Sequence, residues 1–254
     1  MDRDHVLRLL DGERRHLAHM GTSIDVGPAL TRISAADGSH HAIAFSSLAA
    51  ATADAIIAGE IEHHRQRGVP FEWKAYAHDA PPDLLDRLAR HGFTIGEREA
   101  VVVYELARRA AWLGASDHRV VRIERPEQVD VYRAVAERIF GKDYAFTADE
   151  LATALATGST QHRAYLGSAG DEPVSLGRLY THPDSAFGAL YGGGTLPAHR
   201  GRGFYRALVA ARGRDAVTAG AAYLLVDALP TSLPILERLG FERMTDTWPC
   251  CWSP

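Results

Sequence analysis

The sequence feature that most constrains the fold is a glycine-rich stretch, Tyr-Gly-Gly-Gly-Thr-Leu-Pro-Ala-His-Arg-Gly-Arg-Gly-Phe-Tyr, at residues 191–205. The apolar residues 187–191 precede it, and residues 206–218 follow with apolar side chains that include Leu208 and Val209. An apolar run, a glycine-rich turn and a helical pattern in this order predict a strand, a loop and the start of a helix.

The loop within this stretch has the chemistry of an anion site. Gly201 and Gly203 let the main chain approach a ligand closely, because glycine has no side chain and accepts left-handed conformations. The amides in the first turn of a helix have no partners within the helix, so they can donate to a phosphate. Arg200 and Arg202 add positive charge beside them. The sequence therefore predicts a phosphate-binding loop at the start of this helix.

The same loop resembles motif A of the GNAT acetyltransferase superfamily, whose pattern is Gln/Arg-x-x-Gly-x-Gly/Ala after a strand that ends in x-Val-x-Pro. The run Arg-Gly-Arg-Gly-Phe-Tyr at residues 200–205 matches at the arginine and the key glycine, and Thr195-Leu196-Pro197 matches the strand end. Tyr205 departs from the pattern, because the family has a small residue at this position.

A second motif follows at the separation that the family shows. Residues 222–228 predict a short buried strand, and residues 232–239 predict a short helix that stops at Gly240. The run Pro-Ile-Leu-Glu-Arg-Leu-Gly-Phe at residues 234–241 is similar to the end of motif B. The two resemblances together imply a GNAT fold, an α/β fold with a mixed sheet, for residues 119–254.

This resemblance implies acetyl-CoA as the cofactor. The main chain of residues 193–195 would bind the pantetheine arm like an added strand, and residues 200–205 would hold the pyrophosphate. Ser232 could contact the pantetheine or the sulfur, although a serine there also suits a helix cap. The predicted cofactor-binding residues are Gly193, Gly194, Thr195, Leu196, Arg200, Gly201, Arg202, Gly203, Phe204, Tyr205 and Ser232.

Transfer of an acetyl group to an amine needs a base for the amine proton. The candidates in or beside the central strands are Tyr180, His182, Asp184 and Asp227. Asp227 is favoured because it ends a strand that faces the cleft in the family fold, but a capping role is an equal alternative. His182 and Asp184 lie in Thr-His-Pro-Asp-Ser, which is also typical of a surface turn.

The acid for the departing thiolate is harder to assign. Many GNAT enzymes use a tyrosine in the helix after the fifth strand, and the matching position here is Leu236. Three alternatives remain open: another donor such as Tyr205 or Tyr180, protonation by water, or no catalysis.

The amino-terminal half also resembles part of a GNAT fold. Asp79 precedes Phe93 by 14 positions, and Asp227 precedes Phe241 by the same number in a similar strand, helix and Gly-Phe order. We therefore expect two GNAT-like halves, with a domain at residues 1–107, a linker at 108–118 and the acetyltransferase domain at 119–254. Residues 46–47 are Ser-Ser, without glycine or arginine, so we expect the first half to be degenerate and unable to bind coenzyme A.

Periodicity and turn residues predict the remaining elements. Helices are expected at residues 2–20, 48–67, 81–92, 126–140 and 147–156. Strands are expected at residues 27–34, 40–46, 71–77, 93–106, 119–123, 162–167 and 173–182.

Composition limits the partners. A formal charge of −4 gives no general footprint for nucleic acid or anionic membrane, and no apolar run reaches membrane-spanning length. We expect a cytoplasmic monomer or homodimer. The adjacent cysteines Cys250 and Cys251 and the histidine pairs at residues 40–41 and 63–64 complete no metal-ligand pattern, so no metal is expected.

The sequence thus favours an N-acetyltransferase that transfers an acetyl group from acetyl-CoA to the amine of a small molecule. Two alternatives remain: a regulatory protein that binds coenzyme A or acyl-CoA without catalysis, and a protein N-acetyltransferase.

Overall fold

A computed structural model describes residues 1–18, 21–38 and 40–254. It divides into two compact units that are not contiguous in sequence. The first unit comprises Met1–Val102, Asp227–Pro234 and Glu242–Pro254, and the second comprises Val103–Val226 and Ile235–Phe241. The chain passes from the first unit to the second within strand β6 (Glu99–Glu105).

The first unit has a mixed sheet with the strand order β1-β2-β3-β4-β12, and β5 also pairs with β12. Strands β3 and β4 are parallel, whereas β1–β2, β2–β3 and β4–β12 are antiparallel. Its elements are α1 (Arg3–His16), β1 (Thr22–Val26), β2 (Leu30–Ala35), β3 (His41–Ser46), α2 (Ala53–Arg67), β4 (Phe71–Tyr76), α3 (Leu84–Arg90), β5 (Thr94–Ile95) and β12 (Glu242–Trp252).

The core of the first unit forms on one face of β4. Phe71, Trp73 and Ala75 alternate with partly exposed residues, as expected for a strand with one buried face. Cys250 and Trp252 of β12 belong to the same buried cluster. Residues that follow the second unit in sequence are therefore part of the core of the first unit.

The second unit has the strand order β11-β10-β9-β8-β7. Strands β10 and β11 are parallel, and the other neighbours are antiparallel, so this sheet is also mixed. Its elements are α4 (Ala111–Gly114), β7 (Val120–Arg122), α5 (Glu127–Phe140), α6 (Ala145–Ala156), β8 (His162–Ala169), β9 (Glu172–Tyr180), β10 (Phe187–Thr195), α7 (Phe204–Thr218), β11 (Tyr223–Ala228) and α8 (Leu233–Arg238), of which β11 and α8 cross the unit boundary.

Helices cover both faces of this sheet. Leu176 on β9 packs in a buried cluster with side chains of α5 and α6, including Tyr132 and Leu151. Helix α7 lies on the other face and comes very close to β10, because a Cβ atom at Gly188 would lie 2.7 Å from Cβ of Ala216. The two faces of the sheet thus have separate surroundings, and this separation positions the site described below.

The predicted α/β class with a mixed sheet is confirmed. The predicted helices and strands are all present with shifted ends, except that residues 19 and 20 of the first predicted helix lie outside the described residues. Strand β1 was not predicted. Strand β10 extends to Thr195 instead of ending at residue 191, because Gly194 and Thr195 pair with β9 beyond the shift in register.

The segment that we predicted as a linker, residues 108–118, contains the short helix α4, whose Trp112 and Leu113 are buried. The indole of Trp112 donates to the carbonyl of Leu239 at 2.8 Å within the second unit. The predicted domain boundaries are contiguous, whereas the compact units exchange segments near the carboxyl end. Throughout the described residues, every helix is too short or too polar to span a bilayer.

Candidate functional site

The site is built where β10 leaves its neighbour β11. The parallel ladder joins residues 187–189 of β10 to residues 223–225 of β11, and β10 continues to Thr195. On its other side, the pairing with β9 shifts register at a bulge between Tyr191 and Gly194. Bulges redirect a strand and often mark functional sites. This geometry leaves main-chain groups of residues 190–195 beyond the β11 ladder, where an extended ligand could bind as an added strand.

Close packing explains why the bulge is made of glycines. A Cβ atom at Gly194 would lie 2.6 Å from Cγ2 of Ile139 on α5. A Cβ atom at Gly193 would lie 2.9 Å from Cε2 of Tyr205 on α7. The Tyr205 ring therefore turns towards β10 and lies against Gly193. Any larger residue at either position would displace a neighbour.

The loop between β10 and α7 leaves the start of the helix open. Gly203 is the N-cap of α7 with φ 84°, and Gly201 has φ 71°, so both lie in the left-handed region that glycine favours. No atom outside the adjoining residues lies within 4 Å of a Cβ atom placed at Gly201. The first-turn amides of Phe204 and Tyr205 have no carbonyl partner within the helix. Open space and unpaired amides fit a phosphate group.

Three arginines surround this loop. Arg200 donates from Nε to the carbonyl of Thr195 at 3.2 Å, and Arg202 donates from Nη1 to Nδ1 of His199 at 3.0 Å. Arg119, from the segment before β7, donates from Nη1 to the carbonyl of Arg202 at 3.2 Å, and its guanidinium lies 4.6 Å from the centre of the Phe204 ring. The arginines thereby give the loop a positive environment.

One acid balances part of this charge. Asp117 forms an ion pair with Arg119 at 2.6 Å. The hydrogen bonds from Arg119 lower the pKa of Asp117 to about 2, so the pair stays charged at neutral pH. Arg200 and Arg202 are left to face an anionic ligand.

A second group of polar side chains lies on the α5 and α6 face of the sheet. Arg178 donates from Nη1 to the hydroxyls of Tyr180 at 3.1 Å and Thr147 at 3.3 Å, and Tyr180 donates to Glu150 at 3.2 Å. Burial raises the pKa of Tyr180, so its hydroxyl is protonated at neutral pH. We call Tyr132, Tyr144, Thr147, Glu150, His162, Arg178 and Tyr180 the Arg178 cluster.

Several polar atoms of the Arg178 cluster are buried and have no hydrogen-bond partner among the described residues. They are Nε of Arg178, the hydroxyl of Tyr132 and both ring nitrogens of His162. The His162 ring stacks on Tyr180 with centroids 4.2 Å apart. Burial, assisted by the charge of Arg178, lowers the pKa of His162 to about 3. Buried polar atoms are nearly always paired in proteins, so these orphaned atoms need an explanation.

A buried arginine supports the bulge from the α7 face. Arg212 is 1% exposed, and its Nη1 donates to the carbonyl of Arg178 at 3.2 Å and to that of Tyr191 at 3.5 Å. A Cβ atom at Gly177 would lie 2.9 Å from its Cζ, so glycine is required there. Burial lowers the pKa of Arg212. This side chain holds main-chain carbonyls at the point where β10 changes register.

The predicted catalytic residues occupy different surroundings. Asp227 belongs to the first unit, where its carboxylate lies 3.2 Å from Nζ of Lys74, which also pairs with Glu99 at 2.6 Å. Tyr180 is in the Arg178 cluster, and Tyr205 lies against Gly193. Their assignment as catalytic groups remains a prediction.

The other predicted residues have structural contacts of their own. The amide of Asp184 donates to Nδ1 of His182 at 3.1 Å in a turn where Asp184 is exposed, which matches the surface-turn alternative. The hydroxyl of Ser232, in the first unit, donates to the carbonyl of Leu229 at 3.1 Å. Leu236 is fully buried. No hydroxyl is therefore available at the position where the family carries a tyrosine.

In the first unit, the side chains of Asp11, His78 and Asp79 lie close enough together to offer ligand atoms to a cation. Arg14 already occupies this position. Its guanidinium donates to both oxygens of Asp79 at 2.9 and 2.8 Å and to Asp11 at 2.7 Å. A bidentate guanidinium supplies the positive charge that these carboxylates require.

Three arginines beside the site were not predicted from the sequence to take part in it. Arg119 could not be predicted, because it contacts Arg202, which lies 83 positions away. Arg178 could have been found, since it has the strand parity of the buried Val174 and Leu176. Arg212 lies in a helix that is apolar on its buried face, where a charged residue is unusual.

No protein-family model matches the sequence, and no curated protein matches it significantly. Solved structures do match. A GCN5-related N-acetyltransferase from Kribbella flavida is 16% identical with a TM-score of 0.68, covering 99% of this chain and 94% of that chain. A GCN5-related N-acetyltransferase from Sphaerobacter thermophilus is 12% identical with a TM-score of 0.63, covering 98% of this chain and 85% of that chain.

A third match is described as a tandem GNAT protein from the clavulanic acid biosynthesis pathway. It is 14% identical with a TM-score of 0.55, covering 93% of this chain and 84% of that chain. Identities this low establish the fold, while the predicted degeneracy of the first half remains a prediction. The bulged β10, the open start of α7 and these three likenesses show that the chain has the fold of the GNAT acetyltransferases.

Proposed function

We propose that this protein is a coenzyme A dependent N-acyltransferase that transfers an acetyl group to the amine of a small molecule. The observation that carries the proposal is the start of α7. Gly203 in the left-handed region, open space over Gly201 and the neighbouring Arg200 and Arg202, which pair with no carboxylate of the described residues, suit the pyrophosphate of the cofactor. Two of the similar structures are described as N-acetyltransferases.

The second unit offers both parts of a cofactor site. The main chain of residues 193–195 lies beyond the β11 ladder and can bind the pantetheine arm as an added strand. The amides of residues 203–205, with Arg200, Arg202 and Arg119, can bind the phosphates. When bound, acetyl-CoA supplies an activated acyl group as a thioester.

The chain itself contributes groups that hold protons. Tyr180, whose raised pKa keeps it protonated, donates to Glu150, so it suits the role of a proton donor better than that of a base. Asp227 as the base for the amine remains part of the proposal. An Asp227→Asn variant should lose turnover with unchanged cofactor affinity, and equal turnover in variant and parent would leave Asp227 only its ion pair with Lys74.

A regulatory protein that binds coenzyme A without catalysis is the second candidate. The buried Leu236 favours it, since this residue takes the position where many GNAT enzymes have a tyrosine, and a leucine side chain has no acidic proton to donate. Both candidates share the cofactor site and differ only in turnover.

Two measurements separate the candidates. Isothermal titration with acetyl-CoA tests the site, and release of free thiol in the presence of a panel of primary amines tests turnover. Binding together with amine-dependent thiol release is expected. Binding without thiol release would establish the regulatory candidate, and absence of binding would overturn both.

A further inference from the structure

We propose that the amine acceptor carries a carboxylate and that Arg178 binds this carboxylate. The inference rests on the proposed function, because it concerns the acceptor of the same reaction. It names a substrate class, the amino-carboxylates, of which free amino acids are the simplest members. The argument depends on the second unit alone.

One edge of the Arg178 guanidinium is already occupied. Its Nη1 donates to the hydroxyls of Tyr180 and Thr147, and Glu150 lies 3.9 Å from the same nitrogen. These contacts fix the plane of the guanidinium. They also direct its remaining donors to the opposite edge.

The opposite edge faces the bulge of β10. Nε of Arg178 would lie 3.3 Å and Nη2 3.4 Å from a Cβ atom placed at Gly192. Gly192 adopts φ 52°, and any side chain at this position would crowd Nε and Nη2 of Arg178. The buried Nε has no acceptor among the described residues. Two parallel N–H donors match the two oxygens of a carboxylate.

Tyr132 supplies a further donor with no partner. Its side chain is 0% exposed, and its hydroxyl makes no hydrogen bond among the described residues. Tyr132 packs in the same buried cluster as Leu176 of β9, the strand that carries Arg178. Burial raises the pKa of Tyr132 to about 12, and the charge of Arg178 opposes this rise. A protonated phenol donates readily to an anion. An orphaned phenol and an orphaned guanidinium edge thus require the same kind of ligand.

The charges of the Arg178 cluster suit a zwitterion. His162 is neutral because burial lowers its pKa to about 3, and the tyrosines are protonated. Arg178 and Glu150 therefore hold the opposite charges, 3.9 Å apart. A molecule with an ammonium and a carboxylate adds no net charge to this partly buried pair. A simple amine would leave the donors of Arg178 unpaired, which is costly in a dry site.

A purely structural role explains these observations less well. An arginine retained only for packing would have its buried Nε paired, since an orphaned buried donor lowers stability. A bound carboxylate accounts for the unpaired Nε of Arg178 and for the unpaired hydroxyl of Tyr132 together.

The first experiment compares matched acceptors with the unaltered protein. L-leucine and L-leucinamide, L-phenylalanine and L-phenylalaninamide, and 4-aminobutyrate and butylamine are tested in pairs with saturating acetyl-CoA. We expect kcat/KM for at least one acid to exceed that of its partner without a carboxylate by about a hundredfold, as for a lost charged partner in a buried site. Equal values within every pair, or a preference for the partners without a carboxylate, would overturn the inference.

The second experiment uses variants of the Arg178 cluster. Tyr132→Phe removes one hydroxyl at constant volume and should raise KM for the preferred acid about tenfold, with kcat nearly unchanged. Arg178→Gln should abolish the difference in kcat/KM between each acid and its partner without a carboxylate. Arg163→Gln is the matched control, because Arg163 lies on the neighbouring β8 and donates to Thr181. A merely structural arginine would change both members of a pair alike.

A binding measurement separates failure of this inference from failure of the proposed function. Each acid and its partner without a carboxylate are titrated into the protein in the presence of coenzyme A, with no turnover required. If acetyl-CoA does not bind, the proposed function fails. If acetyl-CoA binds but acids bind no tighter than their partners, the inference alone fails. If Arg178→Gln does not fold, the matched acceptors and Tyr132→Phe still decide the question.

Discussion

The two units each contain a parallel strand, helix, strand crossover, and the crossovers differ where their strands separate. In the first unit, β3 and β4 enclose α2, and the indole of Trp73 donates to the hydroxyl of Ser46 at 3.1 Å. Trp73 is fully buried. In the second unit, β10 and β11 enclose α7, and the corresponding part of β10 consists of glycines. The first crossover thus has a buried indole bonded to the end of its first strand, and the second has only glycines at the matching end of β10.

The helices of the two crossovers also begin differently. The first turn of α2 carries Asp54, which pairs with Arg87 and lies 3.1 Å from Nε2 of His91. The first turn of α7 carries no acid and follows Gly203 and Arg202. A helix start attracts anions, but a carboxylate placed there already uses that attraction. The same local topology therefore supports a phosphate site only where side-chain volume and acidic charge are both removed.

The largest expected effect tests whether the first crossover is closed by volume. Trp73→Ala should lower the free energy of unfolding by about 3–5 kcal/mol, because a large buried side chain is lost. Urea unfolding measures this loss, with the half-buried Trp248→Ala as a milder control. The acetyl-CoA stoichiometry of the variant should stay at one per chain. A second binding site would show that volume alone, without charge, separates the two crossovers.

The next effect tests the left-handed glycine of the second crossover. Gly203→Asp should weaken acetyl-CoA binding by at least about a hundredfold, since it adds a negative charge at the phosphates. The substitution also strains the main chain at φ 84°. Gly68→Asp at the end of α2, with φ 67° and open space around it, imposes similar strain away from the loop. Equal loss of affinity in both variants would refute the phosphate assignment.

A buried histidine in each unit gives a comparison in pH. Burial lowers the pKa of His162 to about 3, so its stabilising effect is complete above the unfolded pKa and is lost as the pH falls towards 3. Between pH 7 and 5 this loss should be on the order of 2 kcal/mol, given an unfolded pKa of about 6.5. His162→Phe should flatten the pH dependence measured by urea unfolding.

His64 in the first unit provides the contrast. Burial also lowers its pKa, but its Nδ1 donates to the carbonyl of Glu60 at 2.9 Å. His64→Phe should therefore flatten the profile less than His162→Phe. Parallel profiles for the parent and both variants would contradict the assigned burial of these rings.

The smallest effect concerns an arginine outside the motif. Arg119→Gln should weaken acetyl-CoA binding by about tenfold, or about 1.4 kcal/mol, and added salt should reduce this difference. Arg122→Gln on the same segment is the control, because Arg122 pairs with Glu124 at 2.5 Å and Asp215 at 3.2 Å. If both variants bind equally well, Arg119 only supports the main chain of the loop.

Much of the fold could be predicted because local patterns agree with it. The α/β class, the order of elements and the left-handed Gly203 all follow from periodicity and glycine placement. Strand β1 could not be predicted, since its only large apolar residues, Ile24 and Val26, are both at least partly exposed and give no clear alternation of buried and exposed positions. The assignment of β12 to the first unit depends on long-range pairing with β4, which leaves no mark in the local sequence.

The cofactor loop could be predicted more fully than the acceptor side. Its glycines and arginines are adjacent in sequence, so their chemistry can be inferred together. The Arg178 cluster gathers residues from α5, α6, β8 and β9, and only the folded chain brings them into contact. The ion pair of Asp227 with Lys74 joins residues 153 positions apart and was equally hidden from the sequence.

The position of β12 in sequence affects the order in which the two units can fold during synthesis. A ribosome releases all of the second unit before it releases Cys250 and Trp252, which the first unit needs for its core. Until then the hydrogen-bonding edge of β4 that β12 pairs with stays unsatisfied and open to wrong partners. The first unit therefore cannot complete its core until β12 has followed the second unit out of the ribosome.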